Sequence, residues 1–486
     1  VWASGSLPQA AASASADTLC DLSAGEALAA MRGGAISAEA YATALLDRAA
    51  ATQQLNAFIS LDRATVLEAA HRADRRRRMG EPLGRLHGLP VPIKDSIITR
   101  DWPTSLGSAA MRHFTASQDA PVVTRLLRAG AIVMGKTNLH EMSYGLTSNN
   151  AVMGAVHNPY RPSHIAGGSS GGSAAVVAAR VAPVSLAADT GGSIRVPASL
   201  CGICGLRPSF RRYPTEGLMP IAPDYFDGVG PMARTVRDLA LFDGVLVDAP
   251  TPVSPVLLQG IRLGIAEDYF EAGIDPAIEK VMAQAFDRLR AAGVALIEAP
   301  LPPEAWHAND YALALASRQT VPKLKAFLRR YHPTLPFDSL LEQMSPDMNE
   351  LFKSFALPGG ADYCSDEDYQ TARTQIRVFR SAMARYFHEF RIDAVAFPTT
   401  IIPAQPIGQD DVVEVSGAKI DLFTALARNV AIGTCGGLPG LVLPAGMTAD
   451  GLPAGMEFDG PHGADRRLLG VGLRVEEVLG ALPAPS

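Results

Sequence analysis

The sequence predicts an α/β protein, and three observations carry that expectation. A helical pattern over Asp119–Ala129 runs directly into the β-rich apolar run Ala131-Ile-Val-Met134, the helix-then-strand alternation of this class. The alternation returns where strand-like Arg262–Ile265 is followed by Ile278, Val281, Met282, Ala285 and Leu289 at helical spacing. Short apolar strands recur at Asp393–Phe397 and Gly440–Leu443 before a closing helix over Asp465–Val478.

The elements in order support the same class. Ser23-Ala-Gly-Glu26 is a capping-box pattern ahead of Leu28 and Met31, and Ser37 precedes a second helical run through Tyr41, Leu45 and Leu46. A third helix over Ala64–Met79 ends in four arginines, Arg75 to Arg78, read as a solvated terminus that complements the helix dipole. Leu89-Pro-Val-Pro-Ile-Lys94-Asp95-Ser96 reads as a stiff, buried strand carrying a single lysine, with Asp95 as its obvious charged neighbour. Residues 305–390 are largely helical, broken at 333–336 and 358–360, and are the expected helical cap or insertion. Residues 1–17, rich in Ala and Ser, are expected to be a flexible N-terminal segment. With no repeat or low-complexity linker in view, residues 18–486 are expected to form a single domain.

Composition narrows the function. A net charge of −6 over 486 residues offers no electrostatic case for nucleic acid. No window approaches about 18 uninterrupted apolar residues, so no membrane-spanning helix is expected. Five cysteines are too few and odd in number for a disulfide framework, and Cys201-Gly-Ile-Cys204 has no second ligand pair to complete a metal site. Small-molecule chemistry is the class left.

The chemistry concentrates in Gly167–Ser193, where two glycine-flanked serine clusters are joined by an apolar run from Ala174 to Ala188. Gly167–Ser173 lacks the lysine of a phosphate-binding loop. Gly168-Ser-Ser170-Gly-Gly172 does match the G-x-S-x-G nucleophile elbow, which would make Ser170 the nucleophile with Asp459 and His462 following in the right order. An elbow should follow a buried strand, and Pro162–Ala166 offers only two apolar residues.

Three segments together resemble a known family. Gly167-Gly-Ser-Ser-Gly-Gly-Ser173, Asp189-Thr-Gly-Gly-Ser-Ile-Arg-Val-Pro197 and Cys201-Gly-Ile-Cys-Gly-Leu-Arg-Pro208 look like the signature of the amidase signature family. The resemblance extends from about Leu22 to Leu479 and is weakest over the helical region. It departs at Leu186-Ala-Ala188, where glycine is common, and at Ser209, where threonine is. The fold it implies is a large mixed β-sheet core covered by helices on both faces. Ser193 would be the nucleophile, Ser169 a bridging serine after a cis peptide, and Lys94 the base. Neither metal nor cofactor is implied.

Such a triad has its own physical logic. A serine hydroxyl needs a neighbour to take its proton, and lysine can do so only when neutral, which burial promotes. Thr190, Gly191, Gly192 and Ser193 supply consecutive backbone N–H groups for an oxyanion hole. Asp189 and Arg195 are expected to form a structural ion pair around that loop, with Ser170 in support.

Within the family, Leu139–Asn150 and Gly154–Tyr160 look most like the indoleacetamide and mandelamide hydrolase branch. That implies a small arylacetamide cleaved to acid and ammonia, with Met142, Ser143, Tyr144 and Ile432 near the substrate. The expectation is a cytoplasmic enzyme acting on a small-molecule amide, without nucleic-acid or membrane partners; a homodimer and an exported form stay open. The alternatives are an amidotransferase A-type subunit acting on aminoacyl-tRNA and an esterase using Ser170 and His462.

Overall fold

The computed structural model describes residues 16–249, 251–409 and 411–485; the expected N-terminal segment lies almost wholly outside them. Among the described residues thirteen strands run in chain order: β1 Phe58–Ser60, β2 Pro90–Lys94, β3 Ile132–Thr137, β4 Val184–Asp189, β5 Cys204–Arg207, β6 Gly228–Ala233, β7 Arg262–Ile265, β8 Ala295–Glu298, β9 Ala394–Pro398, β10 Val412–Val415, β11 Ala418–Asp421, β12 Gly440–Met447 and β13 Pro453–Asp459. Eleven join one mixed sheet in the order β1-β3-β2-β4-β6-β5-β12-β13-β9-β7-β8, while β10 and β11 pair separately. The pairs β2–β3, β2–β4, β7–β8 and β7–β9 are parallel, and the remaining pairs of the large sheet are antiparallel. Every residue of β2, β4, β9 and β13 is buried, so both faces of the sheet are covered at its centre.

The helices follow local signals. The capping box forms at Ser23 and Glu26, and the arginine-rich helix spans Arg63–Arg78, with Arg76 turned out to Glu81. Residues 305–390 form helices Ala308–Tyr331, Phe337–Glu342, Pro346–Leu351 and Asp366–Phe390, broken where the prolines and glycines predict. Strands β1, β5, β6, β8, β10, β11 and β13 were not foreseen; in β5, β6 and β13 glycine or proline dilutes the β-pattern. No helix among the described residues is long and apolar enough to cross a membrane.

Topology places the chemistry. Because β2 and β4 are parallel neighbours, with Ile93 opposite Leu186, their C-terminal ends open on the same edge. Lys94 ends β2 and Asp189 ends β4. The helix Gly171–Ala178 leads into β4, so the first serine cluster is set beside the second.

Candidate active site

Lys94 reaches the site from a strand built to exclude water. Proline has no N–H for the ladder, and the register with β3 shifts between Val91 and Pro92. The Lys94 side chain is fully buried and donates from Nζ to Ser169 Oγ at 2.7 Å. Burial disfavours its ammonium form and lowers its pKa to about 7, with the Asp189 carboxylate opposing the shift only in part. Asp95, the charged neighbour in sequence, does not pair with it. Successive strand side chains point to opposite faces, and Asp95 instead meets Lys136 at 3.1 Å, a buried pair that sequence reasoning missed.

Ser169 follows a cis peptide from Gly168. Its carbonyl accepts the His140 N–H at 3.1 Å and the Ser148 hydroxyl at 3.2 Å, which pins the cluster to the 138–148 loop. The Ser170 N–H donates to the Ser193 carbonyl at 3.3 Å, tying the two clusters directly together. Ser170 Oγ donates to the Ala188 carbonyl at 3.0 Å, so this hydroxyl supports the loop. The elbow reading fails on geometry as well: His462 Nδ1 lies against the Gly437 carbonyl at 2.9 Å, and Asp459 is buried beside Glu457.

The second cluster is shaped by Asp189. One carboxylate oxygen accepts the Gly192 N–H at 2.9 Å and the other the Ile194 N–H at 3.0 Å. Arg195 grips both oxygens, and Arg207 adds a bond to Oδ1 at 2.7 Å. Burial pushes the Asp189 carboxyl up, but the guanidinium groups of Arg195 and Arg207 outweigh it and hold the group well below the usual carboxylate range. Arg195 extends the network to Glu457 at 2.9 Å and to Thr434 Oγ1 at 2.7 Å. The expected Asp189–Arg195 pair is therefore part of a larger buried cluster; Arg207 and Glu457, remote in sequence, gave no local signal.

One expectation needs correction. The Gly192 N–H, anticipated as an oxyanion donor, is already committed to Asp189. Gly192 instead allows the turn: its φ is +115°, and a Cβ there would stand 2.7 Å from Val430. Thr190, Gly191 and Ser193 line the neighbouring cavity, and Gly191 has open space where a side chain would be.

That cavity holds about 320 Å³. Ser143 and Tyr144 stand on its wall, with Ile221, Phe226, Leu313 and Phe355 completing much of it. Met142 and Ile432, expected near the substrate, are fully buried in the packing and are not among the lining residues. Leu313, Leu351 and Phe355 come from residues 305–390, so the helical cap walls the site. Tyr144 OH bonds Thr320 at 2.7 Å and its ring packs on Phe352, joining the loop to the cap. Among the described residues no charged side chain lines the cavity.

Comparison with known proteins agrees with this geometry. The Amidase family model matches residues 40–469. An indoleacetamide hydrolase of Agrobacterium vitis is 35% identical over 441 residues, covering 90% of this chain and 92% of its own. A mandelamide hydrolase of Pseudomonas putida is 33% identical over 483 residues, covering 96% and 93%. A crystal structure of an amidase superposes with a TM-score of 0.84 at 30% identity, covering 94% of this chain and all of its own. A buried lysine bonded to Ser169, Ser193 on the wall of a cavity and this shared sequence converge: the chain belongs to the amidase family and is a hydrolase acting on amides.

Proposed function

We propose that the enzyme hydrolyses a small primary arylacetamide, such as phenylacetamide, mandelamide or indole-3-acetamide, to the carboxylic acid and ammonia through an acyl-enzyme on Ser193. The observation that carries this reading is the 2.7 Å bond from Lys94 to Ser169 beside a small cavity with no charged side chain among its described lining residues. An acyl group carrying a carboxylate or ammonium would lose its hydration there with no partner in return. A neutral aryl group suits the apolar wall, and about 320 Å³ lies at the small end of ligand sites. The names of the similar hydrolases point the same way.

The steps follow from the arrangement. Ser193 Oγ attacks the amide carbon as its proton passes to Ser169 and the Ser169 proton passes to neutral Lys94. Negative charge on the amide oxygen is met by the main-chain N–H groups of Thr190, Gly191 and Ser193, each such donor being worth roughly two to three orders of magnitude in rate. The proton then returns through Ser169 to the departing nitrogen, and the C–N bond breaks to release ammonia. Water next attacks the ester, losing a proton along the same path, and releases the acid with Ser193 restored.

The test is ammonia release across phenylacetamide, mandelamide, indole-3-acetamide, aliphatic amides and anilides. Turnover concentrated in the arylacetamides is expected. Turnover confined to anilides or long aliphatic amides refutes the assignment.

A further inference from the structure

The polar side chains of the cavity wall can be accounted for one by one. Thr190 Oγ1 donates to Asp227 at 2.7 Å, Tyr144 OH is engaged with Thr320, and Thr434 Oγ1 accepts from Arg195. Ser193 is the nucleophile of the proposed reaction. Asn309, near the start of the helix Ala308–Tyr331, is only half-buried, so water reaches it. Ser143 is different. It is nine-tenths buried, it lines the cavity, and its Oγ has no hydrogen-bond partner among the described residues.

A buried hydroxyl left without a partner is costly. This one is also held in place with some effort, since Met142 and Ser143 both adopt positive φ, +54° and +58°, outside the usual range for their residue types. The Met142 N–H is bonded to the Leu106 carbonyl at 2.8 Å and the Ser143 N–H to the His140 carbonyl at 2.9 Å. Next door, the Glu141 carboxylate receives the Ser345 hydroxyl from the cap. The turn is thus anchored from both the core and the cap. Its neighbour Tyr144 packs toward Phe352 and Phe355, which places the turn against the side-chain-lined body of the cavity.

We propose that Ser143 is a specificity residue whose Oγ accepts a hydrogen bond from a donor on the acyl half of the substrate, either a hydroxyl on the α-carbon or a ring N–H. The inference rests on the arylacetamide reading above and narrows it. The carboxamide is served by main-chain groups around Ser193, whereas Ser143 sits on a separate turn. A hydroxyl has two acceptor positions and one donor, so it suits either kind of donor. A site that hydrogen-bonds one substrate discriminates against the analogue lacking that group, because its own polar atom is then left unpaired.

Two substrate pairs test this. Mandelamide and phenylacetamide differ only in the α-hydroxyl; indole-3-acetamide and 1-naphthaleneacetamide differ chiefly in the ring N–H. The ratio of kcat/KM within each pair is measured for the wild type, Ser143→Ala and Ser143→Gly, the glycine variant being at ease at positive φ. In at least one pair the ratio falls about tenfold in both variants, the loss of one hydrogen bond. The pair affected identifies the donor. Ratios that stay the same in both pairs, including a uniform fall for all four amides, overturn the inference. A wild type that cleaves none of the four refutes the arylacetamide reading itself, a result distinct from an unaltered ratio.

Discussion

Arg195 holds Asp189 through two parallel bonds, Nε to Oδ2 and Nη2 to Oδ1, each at 3.1 Å. Asp189 spends the rest of its capacity on Arg207 and on the N–H groups that follow it, so the guanidinium sets the shape of the loop bearing Ser193 one step removed. Neither residue is among those lining the cavity; in the proposed mechanism they are positioning residues.

Asp189→Asn tests that role. An amide keeps only one acceptor oxygen for the Gly192 and Ile194 N–H groups and turns an NH₂ toward the other. Breaking a buried ion pair typically costs about 3–5 kcal/mol. The expected result is a marked fall in Tm by calorimetry together with a fall in kcat of roughly a hundredfold, as for a lost oxyanion donor. Full kcat in a folded Asp189→Asn protein contradicts the positioning role.

Three carboxyl groups, Asp189, Glu457 and Asp459, are buried near two guanidinium groups: Asp189 pairs with Arg195 and Arg207 and Glu457 with Arg195, while neither Asp459 oxygen has a hydrogen-bond partner among the described residues. Glu457 and Asp459 are two residues apart on β13, and both crowd Gly440. One charge is left over. Burial, with the neighbouring Glu457 carboxylate, pushes Asp459 well above its ordinary value, and burial raises Glu457 beside it.

The linkage sign follows. A carboxyl whose folded pKa is raised binds more protons folded than unfolded, so its contribution is fully present below the unfolded value and is lost as pH rises toward the folded one. Asp459→Asn carries no such penalty. Its stability relative to wild type is expected to improve with pH above about 4, at up to about 1.4 kcal/mol per pH unit within that window. Denaturant midpoints measured from pH 5 to 9 check this, and parallel curves refute the upward shift of Asp459.

Much of this site was legible because its parts are local. The serine clusters, the buried lysine strand and the helical region 305–390 are contiguous patterns, and the structure brings Lys94, Ser169 and Ser193 to one sheet edge. Residue patterns alone did not separate Ser169 from Ser170; family resemblance did, and the structure distinguishes them by partner, Lys94 for one and the Ala188 carbonyl for the other. What stayed hidden is long-range. Arg207 and Glu457 meet Asp189 and Arg195 only through the order of β4, β5 and β13 in the sheet. Met142 and Ile432 looked like wall residues by sequence position, but each turned its apolar side chain into the core, leaving the wall to Ser143, Tyr144 and the cap.

The central claim is that neutral Lys94 is the base. With its pKa lowered to about 7 by burial, the competent amine predominates above neutrality and is lost as acid protonates it. The pH dependence of kcat/KM for wild-type enzyme on phenylacetamide measures this directly. The account predicts a plateau on the alkaline side, half of it near pH 7, and a tenfold fall for each further unit of acid. A profile that stays flat from pH 9 to pH 5 contradicts it.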